Sequence, residues 1–322
     1  MPIEVLQPGL STTVQDRGRI GYYDVGIPPS GALDQYSLLA ANLLVGNDDE
    51  AAALECVYLG PQLRFSAPSV IAVSGAEMTP RINGEERPLW ESFPVAEGDV
   101  LDFAYLTAGA RAYIGIAGGI EVPAVLGSRS TYALGAMGGH EGRPLQAGDS
   151  LVTPTDVKGE PGRSVGADLR PDIGPSADVR VVMGLYDYRL SDAGRRMFLE
   201  TEWTLTPVAD RIGFRYRGAE LEFVEREQPF GAGSDPSNIV DAPYPIGSIQ
   251  IPGGVEPIIL HRDAVSGGGY AMVGTVISAD MDRVGQSAPN TKTRFVEVDL
   301  DGALAARKEY KARIGRLRES LA

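Results

Sequence analysis

Short runs of β-branched and aromatic residues recur along this chain, and glycine or proline cuts each one off within a few positions. That punctuation constrains the fold more than any other feature. Val70–Ser74, Val100–Leu106, Arg111–Ala117, Val179–Met183, Ile258–Leu260 and Phe295–Val298 read as strands. The 40 glycines and 23 prolines leave few places for helices. Leu33–Val45 has helical spacing, with Ser30 or Asp34 near its start and Gly46-Asn47 at its close. Leu190–Thr201 begins at a Ser191 cap, and Ala303–Leu321 reads as a terminal helix. The expected fold class is mainly β.

At 322 residues the chain is long for one core, so two domains are expected. Pro154–Ala177 carries glycine, proline and charge without periodicity, which reads as a linker. The expected division is 1–155, a linker over 156–177, a second domain over 178–300 and a helix over 301–322. Each half then holds one main helix and a set of short strands, which points to two related barrel-like domains.

Apolar residues make up 43% and charged residues 22%, an ordinary globular balance. No run of 18 apolar residues occurs, so no helix is expected to span a membrane, and the first residues lack a secretory pattern. Cys56 is the only cysteine, which excludes an intrachain disulfide and fits a reducing compartment; the cytoplasm is the expected location. The net charge of −14 repels phosphate backbones, and the densest basic cluster, Arg307 to Arg318, reads as a solvated helix face. Nucleic acid is not an expected partner. Only Lys158, Lys292, Lys308 and Lys311 are lysines, so arginine carries nearly all the positive charge. Guanidinium forks suit carboxylate ligands, although a GC-rich genome produces the same bias.

Several kinds of chemistry are missing. There is no phosphate-binding G-x-x-x-x-G-K-S/T loop, no G-x-S-x-G nucleophile elbow and no lysine between methionines for biotin attachment. His140 and His261 are too few for a histidine metal site, so no metal is expected. Cys56 lies in a packed segment and reads as an inert thiol.

Three blocks remain. Gly9–Asp34 places five glycines, two arginines and Ser30-Gly31 before a helix N-terminus, which suits an anion or else a tight turn without a ligand. Gly118–Arg143 sets Arg129 between Ser128 and Ser130, which can grip a carboxylate or form a plain glycine turn. Gly231–Asp280 brings Gln250, His261, Arg262 and Asp263 to the end of an apolar run, followed by Ser266 and three glycines. Taken singly, His261 reads as an ordinary core histidine.

The stretches TTVQDRGRIGY, GIPPSGALD, ANLLVGN, ALECVYLGP, AVSGAE, GGIEVPAVLGSRSTYALGAMGGHEGRPLQAGD, DRIGFRYRG, PSNIVDAPYPIGSIQIPG and GQSAP followed by TRF run in order from Gly9 to Phe295. They resemble the carboxyltransferase domain of urea carboxylase, in the wider family called allophanate hydrolase subunit 2. That family includes the C component of 5-oxoprolinase and the Kip-inhibitor antagonist. The loop Asp263–Ala271 departs from both the urea-carboxylase and the 5-oxoprolinase patterns, and Pro289-Asn290 stands where the family has Pro-Gly.

The resemblance implies two cyclophilin-like β-barrel domains with few helices and an active-site cleft between them. It also implies a smaller partner subunit related to the Kip inhibitor, or allophanate hydrolase subunit 1. On this reading the chain is a carboxyltransferase subunit. It binds no cofactor covalently and receives carboxybiotin on a separate carrier charged by a biotin carboxylase. The acceptor is a urea, guanidine or amide nitrogen. Asp263, Gln250 and Arg129 are the candidate catalytic residues. Arg19, Ser30, Asp34, Asn42, Ser130, Arg211 and Ser266 are candidates for holding substrate or anion. Two alternatives stay open: an ATP-dependent lactam hydrolase component that uses ATP through its partner subunits, and a non-catalytic antagonist of a kinase inhibitor.

Overall fold

The structure is a computed structural model that describes residues 2–154, 157 and 159–322. The expected boundary at 155/156 and part of the expected linker fall on Thr155, Asp156 and Lys158, outside the described residues. The chain forms two compact units. One comprises Met1–Ile20, Ser30–Ile173 and Ala312–Ala322; the other comprises Gly21–Pro29 and Gly174–Lys311.

The first unit has two sheets. One runs in the order Ser150–Val152, Pro2–Gln7, Gln62–Phe65, Val100–Phe103, Pro80–Ile82, Glu85–Glu86. The other runs Ser11–Gln15, Ala53–Val57, Ala108–Ile116, Ser69–Glu77, Ser92–Val95. Ile3, Val5, Leu63, Phe65 and Leu101 of the first sheet share one buried core with Val14, Leu54, Ile71, Val73 and Ile114 of the second. Strand alternation then explains why Ala108–Ile116 is apolar throughout its second half. Ala112, Ile114 and Ile116 face the core between the sheets, whereas Tyr113 joins Leu38 and Ala41 of helix α1 (Gln35–Leu44) on the other face. At Gly115 a Cβ would lie 2.4 Å from the Ala41 carbonyl oxygen, so the helix rides directly on strand backbone. Asp34 caps this helix by accepting from Ser37 N at 2.9 Å and from Ser37 Oγ at 2.6 Å. Cys56 is buried with its thiol on the Ala112 carbonyl, and burial pushes its ionisation far up.

The second unit is built on a closed barrel in the order Ser176–Met183, Met272–Val276, Ser248–Gln250, Ile258–Leu260, Gly213–Arg217, Trp203–Ala209, Lys292–Glu297. The first and last strands pair in parallel, Ser176 opposite Lys292 through Val181 opposite Glu297. Helix α2 (Asp192–Glu200) starts where Ser191 Oγ accepts from Gly194 N at 3.0 Å. It places Phe198 on Phe295 with ring centroids 4.7 Å apart, beside Trp203 and Tyr216. A two-stranded ribbon, Asn238–Pro243 with Gly267–Tyr270, stands apart from the barrel sheet. The short helix α3 (Met281–Gly285) receives Tyr310 of α4 (Leu300–Ser320), whose hydroxyl donates to Asp282 at 2.6 Å.

Over its described part, the stretch read as a linker buries Val165 and Leu169. The Leu169 carbonyl accepts from Tyr36 Oη at 2.7 Å and from Arg313 Nη2 at 2.8 Å. Arg313 also stacks 4.3 Å over the Tyr36 ring, so one member of the basic cluster read as a solvated face is a packing residue. No helix among the described residues is long and apolar enough to cross a membrane.

Replacing Phe295 with alanine removes the ring on which Phe198, Trp203 and Tyr216 converge. Denaturant unfolding followed by Trp203 emission is expected to show a loss of about 3–5 kcal/mol, the usual cost of this truncation in a core. A loss below about 1 kcal/mol contradicts the packing described.

Candidate functional site

In the first unit, the strand Ser11–Gln15 runs directly into Asp16, which is 5% exposed. Its Oδ1 accepts from Ser128 Oγ at 2.7 Å, Ser130 Oγ at 2.5 Å and Gly18 N at 2.8 Å. Its Oδ2 accepts from Arg129 N at 2.5 Å. A buried carboxylate is tolerated only when its lone pairs are met, and these four donors meet them. Arg19, 1% exposed, donates from Nη2 to the Ser130 carbonyl at 2.5 Å. Gly138 closes the arrangement: a Cβ there would sit 2.2 Å from the Ser130 oxygen and 2.7 Å from Arg19 Nη2. Two of the glycine-rich blocks thus converge on one carboxylate.

Around this hub the sequence candidates separate by role. Arg129 is exposed; its Nε donates to the Val122 carbonyl at 3.1 Å, and its terminal nitrogens have no protein partner among the described residues. That guanidinium edge is open to an anion. Ser30 is buried in the turn beside Gly31, whose N–H donates to Gln15 Oε1 at 3.1 Å. Asp34 is occupied as the helix cap. Asn42 braces a loop, donating to the Ala51 carbonyl at 2.8 Å and accepting from Asn47 at 3.1 Å. An open pocket of 510 Å³ has a lining that includes Glu121, Val122, Gly138, His140, Glu141 and Ser150. Arg143 grips Asp149 at 2.7 and 2.9 Å, with His140 Nε2 3.4 Å from the same carboxylate. Hydrogen bonding from Arg143, helped by Gln146 N–H, holds the Asp149 carboxyl down at about 2.

In the second unit, Arg211 forks onto Asp263, Nε to Oδ2 at 2.8 Å and Nη2 to Oδ1 at 3.3 Å, while Asp263 N donates to the Arg211 carbonyl at 2.9 Å. Asp263 is 6% exposed. Gln250 ends its barrel strand with an enclosed Oε1 that has no hydrogen-bond partner among the described residues. Ser266 is half-buried, its carbonyl accepting from Tyr244 N at 2.8 Å. His261 is fully buried, 4.4 Å from the Phe214 ring, the packing role read for it in isolation. The structure therefore gathers Arg19, Ser30, Arg129 and Ser130 in one unit and Arg211, Gln250, Asp263 and Ser266 in the other. Sequence reasoning missed Asp16. Asp16 sits inside the quoted run TTVQDRGRIGY, where one acid between Gln15 and Arg17 has no spacing signal.

Comparison with known proteins shows the family to which the chain belongs. The profile of the carboxyltransferase domain, subdomain A and B, matches residues 25–297. The urea amidolyase of Saccharomyces cerevisiae is 34% identical over 322 residues, covering 97% of this chain but 17% of that protein. The C component of the 5-oxoprolinase of Escherichia coli is 32% identical over 311 residues, covering 96% of this chain and 95% of that protein. The crystal structure of the Kluyveromyces lactis urea carboxylase superposes with a TM-score of 0.92 at 34% identity, covering 100% of this chain and 30% of that one. The chain thus spans a minor part of the urea amidolyase and urea carboxylase chains it matches.

The Arg143–Asp149 pair generates a pH prediction. Because the folded carboxyl is depressed, its stabilisation is complete above the ordinary value of 3.8 and is lost as pH falls through about 2. Carbon-detected NMR titration of Asp149 should give a midpoint near 2 in the parent protein and near 4 in Arg143→Ala. An unshifted midpoint in the variant contradicts the assignment.

Proposed function

The chain belongs to the family of the carboxyltransferase domain, subdomains A and B, and from that membership we propose that it is a carboxyltransferase subunit acting on a urea, guanidine or amide nitrogen. The observation that carries this reading is the likeness to urea amidolyase and urea carboxylase over almost the whole chain, both units included. Carboxybiotin, brought by a separate carrier and charged by a biotin carboxylase, supplies the activated carboxyl group when bound. Each unit carries a group suited to such chemistry: in the first the open guanidinium edge of Arg129 suits a carboxylate, and in the second the unmet Gln250 Oε1 suits an N–H.

In this reading Arg129 neutralises carboxylate charge, and the Asp16 hub holds its backbone so that no reorganisation is needed as charge develops. Gln250 orients an N–H of the second reactant, and Asp263 accepts the proton that the attacking nitrogen gives up. Arg211 fixes the orientation of that carboxylate through its fork. Arg19, buried under the Ser130 carbonyl, supports the loop rather than reaching outward. A smaller protein of the Kip-inhibitor type completes the assembly.

A second reading, a component of an ATP-dependent 5-oxoprolinase, is favoured by the likeness to the C component of that enzyme over nearly its full length. One reconstitution separates the two. The chain is combined with its smaller partner, a biotin carboxylase and a biotinylated carrier, and ATP turnover is followed with urea, guanidine, simple amides and 5-oxoproline. Carboxyl transfer predicts turnover that needs both biotin and bicarbonate, reduced about 100-fold in kcat/KM by Arg129→Ala, a loss typical of one charge-stabilising donor. Turnover on 5-oxoproline without biotin establishes the second reading instead, and no biotin-dependent turnover with any nitrogen substrate excludes the first.

A further inference from the structure

The glycine-rich segment that follows Asp263 has the composition of a flexible loop, yet Gly267–Tyr270 pairs with the strand Asn238–Pro243, and a single residue bonds the backbone at both its ends, through its main-chain N–H at one and its hydroxyl at the other. Tyr244, 2% exposed, follows directly on the ribbon strand Asn238–Pro243. Its N–H donates to the Ser266 carbonyl at 2.8 Å. Its hydroxyl accepts from Tyr270 N at 2.7 Å and donates to the Tyr270 carbonyl at 2.6 Å. Between those ends the loop is pressed onto the ring: a Cβ at Gly268 would lie 2.9 Å from Tyr244 Cε2, and one at Gly267 would lie 3.1 Å from the Ala242 carbonyl. The glycines there serve close approach rather than looseness.

A second tyrosine completes the clamp. Tyr23 belongs to the segment Gly21–Pro29, the one stretch of the N-terminal part that folds with the second unit. A single turn, Tyr23–Val25, ends at Gly26 with φ 82° and projects the Tyr23 hydroxyl, which donates to the Tyr244 carbonyl at 2.8 Å and lies 3.2 Å from the Val265 carbonyl. With the Arg211 fork on Asp263, the run from Asp263 to Tyr270 is held at its start, middle and end. Ser266 is half-buried, and its hydroxyl makes no hydrogen bond among the described residues.

We infer that Tyr244 is the template on which the loop Val265–Tyr270 is laid and that Tyr23 locks it there, so that both are positioning residues presenting the Ser266 hydroxyl, beside Asp263, to the nitrogen substrate. This rests on the reading that the loop meets that substrate. Burial pushes the Tyr244 hydroxyl up to about 12 and raises Tyr23 as well. Both are neutral donors at physiological pH, and the Tyr244 hydroxyl loses its proton only as pH rises through about 12.

The test uses the full chain in the reconstituted assay with Tyr244→Phe, Tyr23→Phe, Ser266→Ala and the Tyr244→Phe/Ser266→Ala pair, together with amide hydrogen exchange of each without substrate. Loss of one positioning hydrogen bond is expected to raise KM about 10-fold with kcat changed less than about 3-fold. Exchange should quicken over 265–270 and stay unchanged in the barrel strands. Because Tyr244 acts through Ser266, the double variant should lose no more than Ser266→Ala alone. A parental KM in Tyr244→Phe, or losses that multiply in the double variant, overturns the inference. If the parent protein turns over no nitrogen substrate, the carboxyl-transfer reading fails. Exchange then decides the clamp by itself, and unchanged exchange over 265–270 in Tyr244→Phe removes it.

Discussion

The carboxylate of Asp16 joins segments 112 to 114 residues apart in sequence, and the first unit's candidate site depends on it. Ser128, Arg129 and Ser130 lie in a stretch with little regular structure, whose conformation no helix or strand enforces. A buried charge supplies what secondary structure does not, because its need for donors selects one arrangement of the loop. The glycines follow from the same demand. Gly18 gives a backbone N–H to the carboxylate, Gly31 lets the next turn press against Arg17, and Gly138 makes room for Arg19 on the Ser130 carbonyl. What this organisation leaves outward is the guanidinium of Arg129.

The second unit uses different means to the same end. A closed barrel leaves no free sheet edge, so polar groups at strand ends are carried on a stiff frame. Gln250 and Asp263 stand at such ends, and Arg211 and Tyr244 restrain what lies beyond them. In each unit rigidity comes from one buried side chain that gathers backbone groups, a carboxylate in one and a phenol in the other. Both lie next to residues with unmet hydrogen-bonding capacity.

Much of the fold was legible because its signals are local. Asp34 and Ser191 cap the helices expected to start there, and Ile258–Leu260 is a strand with the bounds read for it. Arg111–Ala117 was recognised because Ala112, Tyr113, Ile114 and Ile116 are buried on both faces. The strand Pro2–Gln7, with a proline and alternating exposed residues, gave no comparable run. The parallel pairing that closes the barrel joins Ser176 to Lys292 and has no local trace. The site residues divided the same way. Arginines beside serines could be named from composition, but Asp16 and Tyr244 act through partners distant in sequence or through ring contact with glycine. Tyr244 lies between two prolines, a context that reads as a turn and hides a template.

The account turns on the Asp16 carboxylate organising the loop that presents Arg129, and a double-mutant cycle measures that coupling directly. Asp16→Ala, Ser130→Ala and the double variant are unfolded in urea alongside the parent chain, each followed by Trp90 emission in the first unit. Groups sharing one buried network should show an interaction energy above about 1 kcal/mol. Additive losses, with no coupling between Asp16 and Ser130, would contradict the account.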